Sequence, residues 1–383
     1  IKRDALLKRL MDLRHNGMIK VVTGMRRCGK SYLLFNLFSD ALKEGGVDDA
    51  HIVQVNLEDH RNKILRDPDK LLEYIDNRLK DDQVHYVILD EVQLVNEFED
   101  VLNSYLQLKN ADVYVTGSNA RFLSKDVITE FRGRGLEVRI HPLSFREIRG
   151  ARPQVPIELL WIEYMTYGGL PQVLTMASDQ EKVGYLEGLF KHTYLKDIKE
   201  RYDIKLDGDL EELISMLASS VGGLTNPRKL ADTFRTVKKS TISQDTIKVY
   251  IDYLQDAFIV ERALRFDIKG KRYIDTPSKF YFEDLGLRNA LLNFRQVEKT
   301  HLMENAIYNE LRARGMAVDV GEVIWNTKDA EGKKIRKALE VDFVCNQGYK
   351  RSYIQSAFSI PDDEKCDQEL QSLKRIDDHF RRL

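Results

Sequence analysis

Residues 18–31 read MIKVVTGMRRCGKS and run straight on into YLLFNLF (32–38). The stretch passes from an apolar, β-branched run through two glycines into a run of helical character. From Gly24 to Ser31 it fits GxxxxGK(S/T). A loop between the end of a strand and the start of a helix leaves backbone N–H groups without intrahelical partners. The helix N-terminus adds partial positive charge, and the glycines let the backbone close around a phosphate. Lys30 can reach the β- and γ-phosphates of a nucleoside triphosphate, and the Ser31 hydroxyl can bind Mg²⁺. ATP and Mg²⁺ are the expected cofactors, held by Gly24, Arg26, Arg27, Cys28, Gly29, Lys30, Ser31 and Tyr32. Cys28 has two readings. Its place in the loop favours a reactive thiolate that bound nucleotide would cover, whereas its size and polarity suit an inward-packed apolar filler.

Working outward, four more strand-like runs follow: HIVQVNL (51–57), HYVILDE (85–91), DVYVTGS (112–118) and LEVRIHP (136–142). The first four of the five runs are each followed by helix-like sequence. They are apolar without alternation, as expected of parallel strands buried on both faces. The β-α repetition predicts a doubly wound parallel sheet. Asp90 and Glu91 end an apolar strand, where Asp90 can hold Mg²⁺ and Glu91 can polarise the attacking water. Thr116-Gly117-Ser118-Asn119 ends the next strand. If that strand lies between the other two motifs, Ser118 or Asn119 faces the γ-phosphate, and Asn119 is taken as the catalytic candidate. Arg134, in FRGRG (131–135), is a candidate to neutralise transition-state charge across a subunit boundary, against the blander reading of a solvated basic turn.

Beyond Pro142 the pattern changes. Residues 157–200 and 208–258 read as helical, with the turn cluster TYGGLPQV (166–173) between periodic segments. Three helical blocks followed by VERALRF and KFYFED outline a winged helix. Its ribbon carries Arg262, Arg265, Lys269, Lys271, Arg272 and Lys279, a candidate DNA contact. Glu261, Asp267 and Asp275 dilute that patch, and a winged helix serves equally as a protein-binding module. The last segment alternates helix HLMENAIYNELRARG, strands EVIWNT, ALEVDFVCN and YIQSAFSI, and helix DQELQSLKRIDDHF.

Composition sets outer limits. Hydrophobic residues make up 43%, which excludes wholesale disorder, and Lys plus Arg (60) balance Asp plus Glu (61). Any polyanion site must therefore be local. No apolar run of about 18 residues is present, so no membrane span is expected. The charged N-terminal segment lacks the apolar core of a signal peptide, and the three cysteines form no CxxC pair. A reducing cytoplasm is the expected location. The eight histidines show no HxH or HExxH spacing, so no zinc site is expected.

Together GMRRCGKS, NLED, ILDEVQ, VTGSNA, FRGRG, HPLSFRE, YGGLP, LKDI, YFEDLGLRNA, ENAIYNEL and EVDFV…YIQSA resemble a prokaryotic family of AAA-type P-loop ATPases with a shared C-terminal region. The resemblance spans nearly the whole chain. It implies three parts: an ATPase core over 1–150, a helical lid and winged-helix-like region over 151–290, and a smaller α/β domain over 291–383. That last part resembles the PD-(D/E)XK nuclease layout, with Glu304 on a helix and Asp342 after Glu340 on a strand. There Gln355 replaces the second acid, and Ala357 stands where the lysine is expected, so a dead or weak nuclease is implied. The leading expectation is an ATP-hydrolysing switch or motor acting on a DNA or protein partner, with assembly into an oligomer left open. The rival expectations are a nucleotide-gated DNA-binding module with negligible turnover and an ATP-dependent nuclease.

Overall fold

The computed structural model describes residues 1–117, 131, 133–204, 207–238, 242–328 and 334–383. Ser118, Asn119 and Arg132 lie outside the described residues. The chain forms two compact units. One comprises residues 1–154 with Leu170–Gln172 and Asp256–Phe258, and the other holds the remainder.

The first unit is built on five parallel strands: β1 (Ile19–Thr23), β2 (Ile52–Asn56), β3 (His85–Asp90), β4 (Ala111–Thr116) and β5 (Gly135–Arg139), in the order β2-β3-β4-β1-β5. Every residue of β1 and β3 is buried, as the unalternating apolar runs require. Lys20 breaks the apolar pattern of β1 without breaking the strand. Its ammonium pairs with Asp112 of β4 inside the sheet, and the Asp112 carboxylate also accepts from Tyr114 Oη and His15 N, each at 3.1 Å. Burial draws the Lys20 pKa down, and Asp112 opposes that shift. The sheet is α/β and doubly wound, and β4 does lie between β1 and β3.

The second unit contains the helices and a mixed sheet. Helices Asp207–Ser219, Pro227–Thr233 and Gln244–Asp256 lead into an antiparallel ribbon of β6 (Val260–Asp267) and β7 (Arg272–Phe282). An isolated bridge joins Thr225, just before the second of these helices, to Ser278 of β7. The ribbon does not stand alone. β6 pairs in parallel with β8 (Ala317–Lys328), which continues through β9 (Lys334–Gln347), β10 (Lys350–Ile354) and β11 (Arg381–Arg382) into one six-stranded sheet.

The run YFEDLGLRNA is explained by a set of buried polar groups. Asp284 caps the helix Leu285–Leu291 by accepting from Leu287 N at 2.9 Å, and it takes Gly169 N at 2.8 Å. Gly168 has φ +74°, and a Cβ there would lie 2.4 Å from the Asp284 carboxylate, so only glycine fits. Asn289 Nδ2 donates to the carbonyls of Met165 and Thr166, both at 2.9 Å, closing the end of the helix Ile157–Tyr167. Arg288, 2% exposed, donates to Ala218 O and Gln296 O. These side chains replace water at helix ends that are buried.

Burial pushes the Asp284 carboxyl up to about 6, against the backbone donors that favour its charged form. The folded protein therefore holds this proton more tightly than the unfolded chain, whose ordinary value is 3.8. The resulting stabilisation is complete below the unfolded value and is lost as pH rises through about 6. Replacing Asp284 by Asn removes this term. The stability of the wild type relative to D284N is expected to fall by about 2 kcal/mol between pH 4 and pH 7, measured by urea unfolding of both proteins at each pH.

Candidate nucleotide site

β1, β3 and β4 end side by side because they are parallel neighbours. The register sets Val22 beside Thr116 and Leu89 beside Val115, so Asp90 and Thr116 fall next to each other at the carboxyl edge. The loop 24–29 rises from β1 at that edge and enters the helix that starts with Lys30–Tyr32. Two glycine conformations shape it. Gly24 has φ +141°, and a Cβ there would sit 2.1 Å from Ile140 O, while Gly29 caps the helix at φ +99°. Arg27 is also left-handed, at φ +62°.

Lys30 is 4% exposed, and its ammonium donates to Gly24 O at 3.0 Å and Met25 O at 3.1 Å. It thus stands over the mouth of its own loop. Ser31 Oγ donates to Asp90 Oδ1 at 3.0 Å, and Thr116 Oγ1 donates to the same oxygen. Glu91 N in turn donates to Thr116 Oγ1 at 2.9 Å. Burial raises the Asp90 pKa, opposed by the Thr116 and Ser31 hydroxyls and by Lys30. A buried carboxylate beside a hydroxyl, backed by a lysine, is a hard-oxygen donor set of the kind that suits Mg²⁺. Glu91 leaves the strand in the left-handed region at φ +56°, and its carboxylate accepts from Gln93 Nε2.

The remaining sequence candidates are placed unevenly. Arg26 lies 3.8 Å from Glu58, and Tyr32 is 51% exposed on the first helical turn. Arg134 is exposed, and its carbonyl accepts from Ile19 N, at the amino end of β1. That is the opposite edge of the sheet from the loop, roughly five residues or ~16 Å away along the strand. Arg134 is thus not brought to the nucleotide site of its own chain. The apolar reading of Cys28 is the one the structure supports. The side chain is 0% exposed, with Sγ 3.8 Å from Ile140 O.

Two supporting residues escaped the sequence reading. Arg3 is buried and donates to Cys28 O at 3.2 Å, to His141 O at 2.8 Å and to Glu147 at 2.9 Å. Glu147 itself belongs to the capping box that Ser144 forms at the helix Phe145–Ala151. HPLSFRE therefore holds a guanidinium against the phosphate loop. Pro171 of YGGLP lies against Gly29, where a Cβ would meet its ring at 3.7 Å. Arg3 lies 25 residues from Cys28 and is held by Glu147, 144 residues away from it, while Pro171 is far along the chain from Gly29, so no local spacing marks either residue.

The C-terminal constellation is also assembled. Glu304, on the helix Lys299–Ala313, faces Lys279 of β7 at 2.8 Å, and Lys279 pairs with Glu340 at 2.6 Å. Tyr281 Oη donates to Glu304 at 2.6 Å. Asp342 accepts from Ser356 N and Oγ, both at 2.7 Å, and from Gln355 Nε2 at 3.2 Å. Gln355 lies one residue past the end of β10 rather than within it. The expected lack of an ammonium here is corrected. Lys279, which the sequence groups with an exposed basic ribbon, is 3% exposed and supplies one. Burial lowers its pKa, but Glu304 and Glu340 outweigh that and raise it overall. Burial also raises the pKa of Glu304, opposed by Lys279 and Tyr281.

Residues 16–149 match a family described as an AAA domain, and residues 158–298 match a domain of unknown function. The first unit thus carries an AAA-type P-loop ATPase domain. An uncharacterized protein of Haemophilus influenzae is 32% identical, over 100% of this chain and 92% of the relative. The chain belongs to the same family as that protein. An uncharacterized protein of Methanocaldococcus jannaschii is 27% identical, over 95% of this chain and 79% of the relative. Among solved structures, Aeropyrum pernix Orc1 in complex with DNA aligns at 12% identity with TM-score 0.32, over 76% of this chain and 92% of that one. Pyrobaculum aerophilum Cdc6p aligns at 13% and 0.32, over 80% and 94%.

Two outcomes follow from these side chains. Alkylation of Cys28 in the native protein is expected to be slow with or without Mg-ATP, and the less buried Cys366 should label first, as read by mass spectrometry. Lys279→Met leaves Glu304 buried without its cation and is expected to cost about 3–5 kcal/mol in urea unfolding. Adding Glu304→Gln to Lys279→Met should recover much of that loss.

Proposed function

We propose that the chain binds Mg-ATP at the loop 24–31 and hydrolyses it, using nucleotide state to control a partner of the second unit. The observation that carries this reading is the meeting of Ser31, Asp90 and Thr116 beside the phosphate loop. In this reading the loop N–H groups and Lys30 hold the phosphates, and Ser31 and Asp90 would hold Mg²⁺. The ion would offset charge on the phosphate oxygens. Thr116 keeps Asp90 and the backbone of Glu91 in place, and Glu91 accepts a proton from the attacking water. Gln93 orients the Glu91 carboxylate.

The rival nucleic-acid reading draws less support from the ribbon. Arg262 is turned to Ser278 and to the carbonyl of Asp275, Arg265 pairs with Glu322, and Lys279 is buried. Lys248 pairs with Asp245. Cations already paired release fewer counterions on meeting phosphate. Lys269 and Lys271 remain exposed at the turn between β6 and β7. We assign the winged-helix-like block to a protein partner and read the nuclease-like region as inactive. Lys279 lies between two of its acids, and Gln355 offers a neutral amide to Asp342.

Lys30→Ala is expected to reduce ATP binding by at least about 100-fold and to abolish turnover while leaving the far-ultraviolet circular dichroism unchanged. Glu91→Gln should retain ATP affinity within a few-fold and slow hydrolysis by about 100-fold or more. Unchanged turnover in Glu91→Gln would remove Glu91 as the base. Unchanged ATP affinity in Lys30→Ala would sink the site.

A further inference from the structure

The amino edge of the first sheet, opposite the phosphate loop, holds a cluster that the ATPase reading does not use. β2 and β3 are parallel, with Ile52 beside Tyr86. The preceding residues, His51 and His85, therefore fall next to each other, and their rings are 4.6 Å apart between centroids. Asp81, in the turn before β3, faces both. Its carboxylate lies 3.0 Å from His51 Nε2 and 3.9 Å from His85 Nε2. One donor atom from each of the three residues fits within a span of 4.8 Å.

We propose that His51, Asp81 and His85 form a binding site for a borderline divalent cation, zinc first, with a fourth position left to water. The donor chemistry is two imidazole nitrogens and one carboxylate oxygen, a set that suits Zn²⁺, Co²⁺ or Ni²⁺ and not Mg²⁺. On a tetrahedral ion with bonds of about 2.0–2.1 Å, donor atoms lie roughly 3.4 Å apart. The observed separations bracket that value, so small side-chain rotations complete the site.

The supporting shell is in place. His85 is 2% exposed, and its Nδ1 lies 2.9 Å from Gln83 O. A carbonyl can only accept, so Nδ1 donates to Gln83 O, which leaves Nε2, the nitrogen on the Asp81 side, to bind an ion. Gln83 N donates to Asp81 Oδ1 at 2.9 Å, and Asn110 Nδ2 donates to Asp81 O at 2.9 Å. The carboxylate is thus held by its own turn before any ion binds. His51 is on the short turn Asp49–His51 that opens β2. A bound cation would clip that turn to the one before β3 and leave the nucleotide edge untouched.

The test is a zinc titration of the full chain by isothermal calorimetry with excess Mg²⁺ present, alongside His51→Ala and Asp81→Asn. Both substitutions are at partly exposed positions away from the core. The expected result is one zinc per chain at low-micromolar affinity, weakened about tenfold or more in each variant. Melting temperature should rise by a few degrees with zinc in the wild type only. Cobalt substitution should give a visible d–d spectrum. His51→Cys should keep the metal and add a sulfur-to-cobalt charge-transfer band. Zinc binding of equal strength in His51→Ala and Asp81→Asn would overturn the assignment, as would no binding at tens of micromolar. ATP affinity, measured in the same variants, should not change.

Discussion

Parallel pairing of β1, β3 and β4 is the constraint on which the site depends. Parallel strands end at one edge, so residues far apart in the chain arrive together without any turn designed to join them. Thr116 meets Asp90 through that register, Ser31 reaches the same carboxylate from the helix that follows β1, and Glu91 takes its backbone partner from Thr116. The loop needs its own support as well. Gly24 can approach Ile140 O only because it has no side chain, and Arg3 fixes the carbonyl of Cys28 from the N-terminal segment.

The second unit is held by buried polar groups more than its apolar pattern suggests. Asp284, Arg288 and Asn289 each satisfy backbone groups at helix ends, and Lys279 is enclosed by Glu304 and Glu340. Such groups are costly to bury singly and specific when paired. Gly168 and Gly286 follow from the same arrangement, since side chains there would strike the Asp284 carboxylate and Tyr167 O.

The strands of the first sheet and the loop 24–31 were legible because their signals are local. Continuous apolar runs, two glycines at fixed spacing and an acid at a strand end all fall within a few residues. The AAA-domain match, over residues 16–149, covers this same stretch. Lys20 in β1, Arg3 beneath the loop and Lys279 in the ribbon were not legible as buried ions. Their partners Asp112, Glu147 and Glu304 lie on other elements, and a cation in sequence reads as exposed until its partner is known.

The sequence by itself determined the kind of sheet, the phosphate loop and the acids at its edge, because backbone preference and short spacing suffice for these. Tertiary structure decided the rest. It turned Cys28 inward, carried Arg134 to the far edge of its own sheet, and set His51 beside His85. It also joined the ribbon β6–β7 to the C-terminal strands in one sheet. Each of these depends on which strands become neighbours and in what register, and that choice follows from burying the apolar faces of the whole unit, not from any short stretch of chain.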